Sequence, residues 1–177
     1  KTTLTHYLKM QTPHSQLIKK SMNNHTHIKW HWHCFDELSS HQTEKLFALR
    51  QQVFMLEQNC LYLDIDGKDS SAKHLLVWDD NELIATLRVF ESYKEYSGHA
   101  SIGRVCVSKN ARKSGLGKLL VQHAIDYIKE HFSRKEIQIG AQYYLKSFYK
   151  TLGFKQTSEP YDEDGIDHIH MNYKFTR

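Results

Sequence analysis

Cysteine is scarce and unpatterned in this chain. Cys34, Cys60 and Cys106 are odd in number and far apart, with no Cys-x-x-Cys pair, which argues against a disulfide framework and a cysteine zinc site. Long apolar runs are also missing. Nothing approaches the roughly 18 consecutive apolar residues of a membrane span, and no apolar h-region with a small-residue cleavage site precedes the first patterned segment. These absences predict a soluble protein of the reducing cytoplasm with no membrane partner. A basic body is missing too. The formal charge is +4, but residues 1–21 contain Lys1, Lys9, Lys19 and Lys20 and no acid; without those four, 20 basic residues face 20 acidic ones. A neutral body does not suggest a nucleic-acid partner, because that contact rests on neutralising phosphates. There is no internal repeat or low-complexity segment.

What is present suffices for one core. A chain of 177 residues with 40% hydrophobic and 12% aromatic content builds one well-packed domain, expected over residues 22–177. Residues 1–21 are polar and weakly patterned, and Met22-Asn23-Asn24-His25 reads as a native start. The extension is therefore expected to be a poorly structured added leader or upstream read-through, with a disordered or partly helical regulatory arm as the alternative.

Residues 28–35 alternate and carry aromatics, as a strand does. Ser39 and Gln42 have capping-box spacing, and Leu46, Leu49, Val53, Phe54 and Leu56 then mark a helix. Residues 73–78 and 82–91, joined at Asp79-Asp80-Asn81, read as a hairpin, followed by a strand over 99–108. A helix over 114–131, a strand over 136–141, a helix over 143–152 and strands near 154–158 and 168–175 complete an α/β sandwich of helices on one central sheet. His25, His27, His31 and His33 could be a metal cluster, but no carboxylate or cysteine pattern supports one, and a polar strand face accounts for them. Calcium fits Asp64 to Asp69 poorly, because the glycine comes too early for an EF-hand loop and position 75 is Leu.

The most informative stretch is Arg112-Lys113-Ser114-Gly115-Leu116-Gly117, between an apolar strand and an amphipathic helix. Glycines let the backbone approach a ligand closely, and the unpaired amides and dipole of a helix N-terminus favour an anion. A turn punctuated by glycine can also be only a turn. The run is neither a dinucleotide fingerprint nor a P-loop. Arg112-x-x-Gly115-x-Gly117 does resemble the pyrophosphate-binding motif of the GNAT acyltransferases, which use acyl-CoA. The strand Ile137-Gln138-Ile139-Gly140-Ala141-Gln142 followed by Ser147-Phe148-Tyr149-Lys150-Thr151-Leu152-Gly153-Phe154 resembles the same family's later strand, helix and FYxxxGF ending. Residues 49–69 and 161–168 look like the ElaA-type branch, and the likeness extends over roughly residues 30–175.

The resemblance implies the GNAT fold, a mixed and mostly antiparallel sheet flanked by helices. It implies two strands, one carrying Val105 to Val107 and the other Ile137 to Ala141, splaying apart around the pantetheine of acetyl-CoA. The residues it would place on that cosubstrate are Val105, Cys106, Val107, Arg112, Lys113, Ser114, Gly115, Leu116, Gly117, Lys118, Gln142 and Phe148. No metal is implied.

Acyl transfer from a thioester to an amine needs a neutral nucleophile, a stabilised tetrahedral oxyanion and a proton for the departing thiolate. Tyr149 occupies the motif position of the general acid, although it also fits an aromatic core stripe with Phe148 and Phe154. A backbone amide of the 105–107 strand would face the oxyanion. Where some relatives carry a glutamate base, this chain has Ile102, Gly103 or Arg104, so Glu57, His168 or a water chain stays open. The acidic loops around 57–69 and 159–167 suggest a cationic acceptor bound by Asp64 and Asp66; Arg88 and Arg104 suggest a carboxylate-bearing one instead.

The leading expectation is an N-acetyltransferase acting on a primary amine of a small molecule or a protein, with a homodimer left open. Two alternatives stand beside it. Arg50-x-x-Val53-Phe54 and Asp64-x-Asp66 also look like acyl-homoserine-lactone synthases, which share the fold but use S-adenosylmethionine. The other is a non-catalytic acyl-CoA sensor.

Overall fold

The structure, a computed structural model, describes residues 27–96, 98–133 and 136–175. The expectations for residues 1–21, for Met22 as a start and for His25 lie outside the described residues. In chain order the elements are β1 (Ile28–Cys34), α1 (Ser40–Arg50), β2 (Lys73–Asp79), β3 (Glu82–Phe90), β4 (Ser101–Val107), α2 (Leu116–His131), β5 (Glu136–Gln142), α3 (Lys146–Thr151), β6 (Lys155–Gln156), β7 (Tyr161–Glu163) and β8 (Ile166–Lys174).

The capping box forms as the spacing predicts. Ser39 Oγ accepts from the Gln42 amide at 3.2 Å, and Gln42 Oε1 accepts from the Ser39 amide at 2.9 Å. Beyond Arg50, α1 continues in wide π-type turns through Gln51–Glu57. Such widening is frequent at functional sites, and here it carries Glu57 and Gln58 to a cavity.

β2 is apolar almost throughout because both of its faces are covered. Leu75 and Val77 join Leu120, Val121 and Ile125 of α2 in the larger core, while Leu76 and Trp78 join Leu46, Leu49 and Val53 on the α1 side. The aromatic alternation of β1 has the same cause. Trp30 stacks on His123 and Trp32 on Tyr127, with ring centroids 4.3 and 4.0 Å apart.

The expected single sheet is two. One runs β1-β2-β3-β4, all antiparallel; the other runs β5-β8-β6, with β7 paired to the start of β8. They touch through a parallel bridge between Ala100 and Ile137, where the Gln138 amide donates to the Ala100 carbonyl at 2.9 Å. The reason is local. Thr86 pairs with Cys106 but Arg88 with Gly103, so β4 holds one residue more than β3 over the same stretch. The extra residue is a bulge at Arg104, whose φ is 50°. A bulge bends its strand and sharpens the twist, and beyond it no ladder joins β4 to β5.

The acidic stretch 161–168, expected as a loop, is a hairpin of β7 and β8. Asp164 and Gly165 have φ of 54° and 80°, the left-handed pair that a tight two-residue hairpin requires and that Asp-Gly favours. Tyr161 lies opposite His168 and Glu163 opposite Ile166.

Candidate active site

The splay between β4 and β5 opens a cavity of about 570 Å³. Val105, Cys106 and Val107 line one wall, and Gly140, Ala141 and Gln142 the other; Arg112, Gly117, Phe148 and Tyr149 stand at one end, and Tyr93, Tyr96, Glu163 and His168 also line it. Of the residues expected on acetyl-CoA, Val105, Cys106, Val107, Gln142 and Phe148 therefore converge, whereas Lys113, Gly115 and Lys118 do not line the cavity. From the glycine turn, Arg112 and Gly117 line this cavity, whereas Ser114 and Leu116 line a smaller one of about 180 Å³ beside β1. Leu116 is a core side chain, 5% exposed, so only its backbone could meet a ligand.

The turn carries two left-handed residues. Lys113 and Gly115 have φ of 64° and 86°, and left-handed residues before a helix curl successive amides into a concave nest. The amides of Lys118 and Leu119 turn back to the Gly115 carbonyl at 3.1 and 3.2 Å, which leaves the amides ahead of them without intrahelical acceptors. A Cβ on Gly117 would meet Val107 Cγ2 at 3.8 Å and Phe148 Cζ at 4.0 Å. Alanine fits there, and a large side chain fills the opening between β4 and α3.

Arg112 donates through Nε to the Val107 carbonyl at 3.0 Å, and its Nη2 lies 2.5 Å from Glu57 Oε2. Glu57 is thus tied to the glycine-turn end. Gln58 and Gln142 exchange amide hydrogen bonds across the cleft, 3.1 Å in one direction and 3.4 Å in the other, and the Tyr144 hydroxyl donates to Gln142 Oε1 at 2.6 Å. Gln58 and Tyr144 were not anticipated, since no local pattern distinguishes them from surface residues.

Tyr149 is 7% exposed and packs edge-on against Phe148 and Phe154. It lines the cavity as well, so the core-stripe reading and the catalytic one describe the same position. Burial pushes its phenol well above the usual tyrosine range, which keeps the proton on the oxygen at neutral pH. His168 Nδ1 lies 2.8 Å from the Ile166 carbonyl. A carbonyl only accepts, so Nδ1 carries a proton, and the neutral tautomer that makes this bond has its lone pair on Nε2. Cys106 also lines the cavity, but burial pushes its thiol up to about 12, so it is not a thiolate nucleophile.

The two opposed acceptor expectations meet as partners of each other. Arg50 Nε is 2.8 Å from Asp64 Oδ2 and its Nη1 is 2.8 Å from Asp69 Oδ1. Arg88 Nη1 reaches Asp69 Oδ1 at 2.9 Å and Asp66 Oδ1 at 2.8 Å. Arg104 Nε reaches Asp64 Oδ1 at 2.7 Å and Nη2 reaches Asp66 Oδ2 at 3.2 Å. Three guanidiniums neutralise three carboxylates. Burial works against the charged form of Asp66 and Asp69, yet the guanidiniums outweigh it, and both carboxyls sit below the usual range. Asp64 and Asp66 do not line the cavity; Arg88 and Arg104 do, with their charges already paired. Neither set presents an unpaired charge to a substrate. The lattice fixes the left-handed Arg104, and through it the bulge that parts the two sheets.

The acetyltransferase (GNAT) domain family model matches residues 37–175. The chain is 39% identical to the ElaA protein of Escherichia coli over 146 residues, 81% of this chain and 95% of that one. It is 38% identical to the UPF0039 protein sll0451 of Synechocystis over 148 residues, 83% of this chain and 96% of that one. Among solved structures, Escherichia coli ElaA superposes with a TM-score of 0.77 at 37% identity, over 83% of this chain and 99% of its own. An acyl-CoA N-acyltransferase from Pseudomonas aeruginosa does so with a TM-score of 0.77 at 33% identity, over 82% and 99%. A GNAT family acetyltransferase from Elizabethkingia anophelis with acetyl-CoA bound shares the fold at 19% identity and a TM-score of 0.60, over 85% and 99%. With the family model matched over residues 37–175 and ElaA at 39% identity, this chain belongs to the GNAT acetyltransferases, in their ElaA-type branch.

Proposed function

We propose that the protein transfers an acetyl group from acetyl-CoA to a primary amine. One observation carries this reading: a single cavity joins the glycine turn, at Arg112 and Gly117, to a buried phenol and to an imidazole held through Nδ1. Acetyl-CoA would supply the activated acyl group and a thiolate leaving group. The nest at Lys113 to Gly117, with Arg112 and the exposed Lys113, would hold its pyrophosphate. Val105 to Val107 and Gln142 with Phe148 would flank its arm.

The bulge at Arg104 leaves a β4 backbone amide outside the ladder, a donor of the kind that stabilises a developing oxyanion. Tyr149, held protonated by burial, is placed to return a proton to the thiolate as general acid. Of the base candidates, His168 fits better than Glu57, because Nε2 is free while the Glu57 carboxylate is bound to Arg112. The intact Tyr149 and His168 favour transfer over a sensor that only binds acyl-CoA. The glycine turn favours CoA over S-adenosylmethionine, whose compact sulfonium has no pyrophosphate to seat.

A panel of amines assayed for released CoA thiol tests the reading. Turnover with acetyl-CoA that falls about 10²- to 10⁴-fold in Tyr149→Phe and in His168→Asn supports it. Acetyl-CoA binding with no thiol release from any amine would return the cavity to a sensor.

A further inference from the structure

Three oxygens converge over Gly140 on the β5 wall of the cavity. A Cβ built there would lie 2.8 Å from Tyr96 Oη, 3.1 Å from Tyr161 Oη and 3.9 Å from Glu163 Oε2. Only the absence of a side chain at 140 leaves that space open. Burial pushes both phenols up, so each keeps its hydroxyl proton. Glu163 is exposed and brings its carboxylate to the same point from the rim. Tyr161 is also boxed in by His170, with ring centroids 4.9 Å apart.

The charge balance of the cavity gives this corner its meaning. Arg88 and Arg104 are neutralised by Asp64, Asp66 and Asp69, and Arg112 is paired with Glu57. The aromatic faces nearby hold the chain's own cations: Arg104 lies over Tyr62, Arg88 over Phe90 and Lys68 over Tyr93. Among the described residues lining the cavity, Glu163 and its turn neighbour Asp164 are the charged side chains without an ion-pair partner. An ammonium has three N–H donors, and this corner offers acceptor oxygens and an unpaired negative charge. A carboxylate would find no free guanidinium and would face Glu163.

Resting on the acetyltransferase reading above, we infer that Glu163, with the hydroxyls of Tyr161 and Tyr96 beside it over Gly140, binds the ammonium of the acceptor. The acceptor class is then an aliphatic amine that carries no carboxylate. Amino acids are excluded, and diamines and polyamines fit.

Cadaverine and lysine test this, since the two differ by one carboxylate. With saturating acetyl-CoA, kcat/KM for cadaverine should exceed that for lysine by at least about tenfold, because like charges brought together are penalised. Glu163→Gln should raise the KM for cadaverine about three- to fivefold, the scale of an exposed ion pair, and should narrow the preference over lysine. Tyr161→Phe should shift KM the same way with kcat nearly unchanged, because it removes one of the three convergent oxygens and no reacting group. Calorimetric binding of cadaverine to the CoA-loaded protein, wild type against Glu163→Gln, decides the point without turnover. Lysine used as well as cadaverine, or equal cadaverine affinity in wild type and Glu163→Gln, overturns the inference. Cadaverine binding that depends on Glu163, with no thiol released from any amine, would overturn the transferase reading and leave the ammonium site standing.

Discussion

Arg112 and Glu57 form an ion pair of 2.5 Å that joins the end of the first helical segment to the glycine turn. The pairing sets a competition, because the guanidinium that would meet pyrophosphate is already held by a carboxylate. Glu57→Gln should therefore tighten acetyl-CoA binding about three- to fivefold, the magnitude of one partly exposed ion pair, and leave turnover within a few-fold of wild type. A fall in kcat of about 10² or more with unchanged affinity would make Glu57 the base in place of His168.

Arg50, 1% exposed, serves Asp64 and Asp69 at once. Arg50→Met should cost about 3–5 kcal/mol, the usual penalty for leaving buried carboxylates without their partner, read from urea unfolding. Loss below about 1 kcal/mol would mean that the lattice is not a stabilising unit.

Acid should dissolve the same lattice. Asp66 and Asp69 have folded-state pKa values held below their unfolded ones by Arg88 and Arg50 against the cost of burial. A depressed carboxylate contributes stability that is complete above its unfolded pKa and is lost as pH falls through the folded one. Tm should thus decline as pH falls below about 4, and less steeply in a variant carrying both Asp66→Asn and Asp69→Asn. Parallel curves for the two proteins would place the acid lability elsewhere.

Much of the fold is legible from pattern. The capping box at Ser39, the hairpin at Asp80 and the helix after Gly115 are each specified within a few residues, by hydrogen bonds and left-handed backbone that particular residue types favour. The splay is not, because the bulge at Arg104 depends on carboxylates at positions 64 and 66. Spacing reveals which charges exist but not which ones meet, so Asp64 and Asp66 read as cation ligands and Arg88 and Arg104 as carboxylate ligands until the fold pairs them. The β7–β8 hairpin, by contrast, is specified locally. Asp164-Gly165 between Tyr161-x-Glu163 and Ile166-x-His168 carries a hairpin signal, hidden by the acidic character of the stretch.

The cavity as the seat of acetyl-CoA is the central claim, and calorimetric titration of acetyl-CoA into the wild-type protein and Gly117→Trp tests it most directly. Gly117 faces Val107 and Phe148 across the mouth of the splay, so an indole there blocks the arm without touching Tyr149 or His168. Saturable binding to the wild-type protein, with at least about a hundredfold loss in folded Gly117→Trp, is the predicted result. Equal affinity of the two proteins would contradict it, and the glycine turn would then be only a turn.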